Sequence, residues 1–205
     1  MRASTRREFV AGPAGRIECA VDEPDATPRG VAHGVARGVA LIAHPHPLFG
    51  GSLDNKVVQT LARAFLELGY ETWRPNFRGV GATEGAHDEG RGELEDLDTV
   101  LKHTGASRFV LAGFSFGAAV QARLAQRRAP ERLVLVGVGV TRLETPAVPQ
   151  GTLVIHGEND ETVPLAAVLD WARPQDLPVV LVPGASHFFH RKLHVLRTIV
   201  TSNWK

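Results

Sequence analysis

Residues 113–117 constrain this chain more than any other stretch. Gly113-Phe114-Ser115-Phe116-Gly117 follows the apolar run Phe109-Val110-Leu111-Ala112, which reads as a buried strand. It precedes Ala118 to Arg128, which reads as a helix. A strand that turns into a helix within five residues brings the two elements close together. Glycines two before and two after the serine remove the Cβ atoms that would collide there. A Gly-x-Ser-x-Gly turn of this kind holds its serine at strained backbone angles and pushes the hydroxyl beyond the sheet edge. The pentapeptide therefore predicts a sheet backed by helices and a presented nucleophile, Ser115.

The remaining chain extends that alternation. Val39 to Ala43, Tyr70 to Arg74, Phe109 to Phe114, Arg132 to Val138, Thr152 to His156 and Pro178 to Val182 read as strands. Helices are expected over Asp54 to Leu68, Glu93 to Lys102, Ala118 to Arg128, Leu165 to Trp171 and Phe189 to Trp204. Gly69 is the natural stop of the first helix. The strands are mostly continuous apolar runs rather than alternating ones, the pattern of a parallel sheet covered on both faces. Glu8 to Ala11 and Ile17 to Val21, separated by Gly12-Pro13-Ala14-Gly15, add an antiparallel hairpin at the start. Asp22 to Gly38 and Asn76 to Gly92 read as loops. No repeat or boundary divides the chain, so one α/β domain over residues 1–205 is expected, with a mostly parallel twisted sheet between helices.

Charge and cysteine content exclude several classes of function. With a formal net charge of +1, the chain carries no electrostatic footprint for nucleic acid or an anionic membrane. Its single cysteine, Cys19, leaves no internal disulfide and fits a reducing compartment. The basic segment Met1 to Arg7 is not followed by an apolar core of the kind a secretory signal needs. No run approaches the ~18 apolar residues of a membrane span. A cytoplasmic location away from membranes is expected.

A serine nucleophile needs a base to take its proton and an acid to orient that base. After Ser115 come two loops, each directly following a strand. The first, His156-Gly157-Glu158-Asn159-Asp160-Glu161-Thr162-Val163-Pro164, offers Glu158, Asp160 and Glu161 as the acid. The second, Gly184-Ala185-Ser186-His187, offers His187 as the base, with His190 and His194 as rivals. Both loops leave the carboxyl ends of their strands, where functional groups of open parallel sheets collect. An oxyanion site needs backbone N–H donors near the serine hydroxyl. Phe116, next to the nucleophile, supplies one. The loop His44-Pro45-His46-Pro47-Leu48-Phe49-Gly50-Gly51 supplies the other. Pro45 and Pro47 have no N–H, which leaves His46 and Leu48, and His46 is favoured because it lies two residues beyond the strand end. His190 with His194 has a spacing that suggests a metal pair, but no third ligand is evident; His44 with His46 suggests another, but the flanking prolines and the position after the strand favour an oxyanion loop, and no metal is expected.

Together these motifs resemble the α/β-hydrolase superfamily. The segments His44-Pro-His-Pro-Leu-Phe-Gly-Gly-Ser-Leu-Asp-Asn-Lys56 and Asn76-Phe-Arg-Gly-Val-Gly-Ala-Thr-Glu-Gly85 are similar, more narrowly, to a small bacterial subfamily described as dienelactone-hydrolase-like. The resemblance spans about Glu8 to Lys205. It implies the chain order serine, acid, histidine, and through the pattern Gly-x-x-Asp-x-x-Val-Pro it singles out Asp160 as the acid. Dienelactone hydrolases proper use a cysteine nucleophile, whereas position 115 is serine. Ester or thioester hydrolysis is therefore the safer expectation.

The resulting expectation is a serine hydrolase with a Ser115, His187, Asp160 triad, oxyanion donors Phe116 and His46, no cofactor, and a small-molecule acyl substrate. Peptidase or amidase use of the same groups, and a binding protein of this fold without turnover, are the alternatives. Larger relatives insert a lid before the acid loop. The interval Gly139 to Gly151, with Pro146 and Pro149, is too short for a helical cap, so an open site is expected unless loop 76–92 covers it. Arg78 in that loop is a candidate for a substrate carboxylate, with a structural ion pair to Glu84, Asp88 or Glu89 as the plainer expectation.

Overall fold

The structure, a computed structural model, describes residues 5–24 and 36–204. Most of the loop expected between Asp22 and Gly38 lies outside the described residues. Eight strands form one sheet: β1 (Arg6–Gly12), β2 (Gly15–Asp22), β3 (Val39–Ala43), β4 (Glu71–Pro75), β5 (Phe109–Phe114), β6 (Arg132–Val136), β7 (Leu153–Gly157) and β8 (Val179–Val182). Their spatial order is β1-β2-β4-β3-β5-β6-β7-β8. The hairpin β1–β2 and the β2–β4 pair are antiparallel, and every pairing from β4 through β3 to β8 is parallel.

Alternation along each strand builds two cores. Leu41 and Ala43 of β3, with Leu111 of β5, Leu135 of β6 and Val154 of β7, face α2 (Arg91–His103), α3 (Phe116–Leu124) and α4 (Leu165–Ala172). Ala40 and Ile42, with Ala112, Val134 and Ile155, face α1 (Lys56–Glu67) and α5 (Leu193–Ser202). Helix α1 shows how sequence sets a boundary. Asn55 caps it, its side chain accepting from the N–H groups of Val57 and Val58, and Gly69 follows its end at φ 86°. The buried stripe Val57, Val58, Leu61, Ala64 and Phe65 then packs on the sheet.

The antiparallel edge is tied to the parallel sheet by a buried ion pair. Arg74 Nη2 of β4 donates to Asp22 Oδ2 of β2 at 2.7 Å, and Nη1 donates to Leu53 O. Thr5 Oγ1 donates to the other Asp22 oxygen. With both side chains out of water, removing one partner strands a charge. Asp22→Ala is expected to cost about 3–5 kcal/mol in denaturant unfolding. A loss within experimental error would show that the arginine finds water instead.

Several helix boundaries differ from the sequence expectation, most of all at the elbow helix and the last helix. The elbow helix begins at Phe116, because the carbonyl of Ser115 already accepts from Ala118 and Ala119, and it ends at Leu124 rather than Arg128. The last helix begins at Leu193, not Phe189. Phe189 and Arg191 are left-handed, at φ 53° and 59°, and the chain turns between them. That double turn seats the buried Phe189 in the core beneath α1 and α5 while leaving His187 on the sheet edge. His190 is therefore not on a helix face with His194, and both are exposed.

Candidate active site

Ser115 sits between β5 and α3 with φ 55° and ψ −117°, a conformation costly for a residue with a Cβ. Its surroundings leave no alternative to glycine on either side. A Cβ on Gly113 would lie 2.5 Å from Gly117 O, and one on Gly117 would lie 2.3 Å from His44 O. Ser115 is fixed by its backbone: its N–H donates to Val136 O, and its carbonyl accepts from Ala118, Ala119 and Gly139.

The loops after β7 and β8 converge on it. His187 Nε2 lies 3.1 Å from Ser115 Oγ, and His187 Nδ1 lies 2.7 Å from Asp160 Oδ2. The other Asp160 oxygen accepts from the N–H groups of Thr162 and Val163, at 2.9 and 2.8 Å. Burial pushes the Asp160 carboxyl upward, but the hydrogen bonds from His187, Val163 and Thr162 outweigh it and hold the carboxyl below its usual value. An ionised Asp160 accepts, so Nδ1 carries the imidazole proton and Nε2 is bare toward the serine. The rival acids have other partners. Glu158 accepts from Gly184 N–H, and Glu161 accepts from the backbone N–H of His187.

The first loop supplies N–H groups. Among the described residues neither the N–H of His46 nor that of Phe116 donates to another group, whereas Leu48 N–H donates to His46 Nδ1. His44 is buried with both nitrogens engaged: Nε2 accepts from Phe77 N–H, and Nδ1 then donates to Pro45 O. Burial takes its pKa down to about 4, so the ring is a neutral strut whose two nitrogens are already occupied. His46 is also lowered, by burial first and then by the charges of His87 and Arg142. Among the described residues no group of three or more His, Cys, Asp or Glu side chains is arranged to hold a metal ion. The Cys19 thiol is buried and pushed up to about 12 by that burial, which leaves it no nucleophilic character near neutrality.

These groups line an open cavity of about 270 Å³ bounded by His46, Phe49, Asn55, Arg142, Thr162 and Phe188. No residue of 76–92 lines it. That loop backs the site instead, where the His87 ring packs on His46 and Phe116 at centroid distances of 4.7 and 5.5 Å. Residues 139–151 form no helix. Arg78 is a structural residue, with two hydrogen bonds to Asp96 and one to Gly92 O, a partner the sequence expectation did not name.

Three residues at this site escaped the sequence reading. His156, at the end of β7, is fully buried. Its Nε2 lies 3.0 Å from Val163 O and 3.6 Å from Asp160 Oδ2, so it supports the acid loop from below. Its position four residues before Asp160 was the available signal. Arg142 falls in an interval read only for its length and its prolines, and Phe188 is masked by its neighbour His187.

A family model described as the alpha/beta hydrolase fold matches residues 46–150, which include Ser115 but not Asp160 or His187. A crystal structure from Xanthomonas campestris, described as an α/β serine hydrolase without a lid, is 37% identical over 99% of this chain and 94% of that chain, with a TM-score of 0.89. An α/β serine hydrolase homologue from Coxiella burnetii is 38% identical over the whole of both chains, with a TM-score of 0.85. An uncharacterised protein of Rickettsia prowazekii is 30% identical over 207 residues, covering 90% of this chain and 82% of that protein.

Proposed function

The chain belongs to the α/β-hydrolase fold family, and from that membership we propose that it is a serine hydrolase acting on small esters or thioesters through an acyl-enzyme. The observation that carries the reading is the hydrogen-bonded line from Ser115 Oγ to His187, both lining an open cavity, and on to Asp160 behind the imidazole. Ser115 Oγ attacks the acyl carbonyl while His187 Nε2 takes its proton. Asp160 keeps the Nδ1–H tautomer and stabilises the imidazolium that forms. The unengaged N–H groups of His46 and Phe116 receive the oxyanion. His187 returns the proton to the leaving oxygen or sulfur. Water then releases the acid by the same steps.

The test is a fluorophosphonate probe combined with turnover of short acyl esters. One adduct per chain, mapped to Ser115 and abolishing turnover, is expected. A chain that neither reacts nor cleaves any ester would be a binding protein of this fold.

Access and pH give a further expectation. With no helix in residues 139–151 and a cavity of about 270 Å³, a long acyl chain gains little buried area. Each buried CH₂ would otherwise contribute about 0.8 kcal/mol. Acetyl to butyryl esters should be cleaved faster than lauroyl or palmitoyl esters. Because Asp160 stays ionised below its usual range, the acid of the site is not expected to limit activity near neutrality, and kcat/KM should hold at about pH 8. A long-chain preference, or a maximum at about pH 5, would contradict the site geometry.

A further inference from the structure

The cavity around Ser115 has a charge character that the acyl-transfer chemistry does not use. None of its lining residues is an aspartate or glutamate, although the chain contains 22 of them. One lining residue, Arg142, is a permanent cation. Its guanidinium lies 5.0 Å above the centre of the Phe49 ring, and it makes no ion pair with a carboxylate among the described residues. Arg78, in contrast, is neutralised by Asp96. The segment bearing Arg142 is pinned to the nucleophile: Arg142 N–H donates to Gly139 O, and Gly139 N–H donates to Ser115 O.

A charged fork on an aromatic platform, at the mouth of a cavity free of acids, suits a planar anion that accepts two parallel hydrogen bonds. Asn55 and Thr162 add polar side chains to the same cavity, while Phe188 supplies an apolar wall. We propose that the substrate carries a carboxylate, bound by Arg142 beside Phe49, so that the enzyme prefers carboxylate-bearing short esters over uncharged esters of the same shape. This rests on the serine-hydrolase reading above.

Two substrate pairs test it and distinguish the side of the ester that bears the charge. Monoethyl glutarate against ethyl valerate places the carboxylate on the acyl group. 4-Carboxyphenyl acetate against 4-carbamoylphenyl acetate places it on the alcohol. In at least one pair kcat/KM is expected to favour the anion by about tenfold, a magnitude between an exposed ion pair and a charged hydrogen bond. That ratio should fall toward one in Arg142→Gln, recover in part in Arg142→Lys, and invert in Arg142→Glu. It should also shrink as salt is raised from about 0.05 to about 0.5 M. Ratios near one in both pairs, or ratios indifferent to the charge at position 142, overturn the proposal while leaving the hydrolase reading intact. Failure of Ser115 to react with the phosphonate probe, with no ester cleaved, overturns both.

Discussion

Ser115→Ala is expected to lower kcat by about 10⁴- to 10⁶-fold and leave the fold unchanged. The two halves of that result have separate causes. Among the described residues the side-chain hydroxyl makes one hydrogen bond, to His187 Nε2. The fold at this point is held by the backbone instead, through the bonds to Val136, Ala118, Ala119 and Gly139, all of which alanine retains. Alanine also keeps the Cβ, so the strain at φ 55° is neither relieved nor increased. Circular dichroism and the unfolding midpoint should match the wild type while ester turnover collapses. Near-normal turnover in the purified variant would remove Ser115 from the mechanism, and so would phosphonate labelling of a different serine.

The legibility of this fold in its sequence follows the physics of each element. β5 was read to the residue, because its apolar run is bounded by the Gly-x-Ser-x-Gly turn and no polar residue blurs its ends. The start of α1 was misplaced by two residues. Both Asp54 and Asn55 are good caps, and only the side-chain bonds of Asn55 decide between them. The last helix was extended too far back because residues 189–192 contain no proline or glycine to signal a break. The left-handed turns at Phe189 and Arg191 arise from tertiary demands, the burial of Phe189 and the placement of His187, that no local propensity encodes. The convergence of Ser115, Asp160 and His187 was legible because each follows the carboxyl end of a strand. The cavity wall was not. Arg142, Phe49 and Phe188 come from three separate loops, and only the assembled sheet brings them to one opening.

Asp160→Asn is expected to reduce kcat/KM by about 10⁴-fold, and the structure dictates why a change of one atom has so large an effect. Asp160 Oδ1 accepts two backbone bonds, from Thr162 and Val163, so the asparagine must place its carbonyl oxygen there. Its amide nitrogen is then forced into the position of Oδ2, facing His187 Nδ1. An NH₂ group cannot accept, so the imidazole responds by baring Nδ1 and carrying its proton on Nε2, toward Ser115. In that tautomer the ring has no lone pair for the serine proton. The neighbouring acids do not occupy this position: Glu158→Gln and Glu161→Gln should each retain most activity, since their carboxylates hold Gly184 N–H and the backbone N–H of His187. Stability should follow the sign of the Asp160 shift. Its carboxyl is held below the usual value in the folded state, so its contribution is present above the ordinary carboxylate range and is lost as pH falls through the folded-state pKa. Wild type and Asp160→Asn should therefore differ most in unfolding free energy near neutrality and converge in acid. A larger activity loss at Glu158 than at Asp160 would transfer the orienting role to that residue, and a stability difference that grows in acid would mean that Asp160 is not ionised in the folded protein.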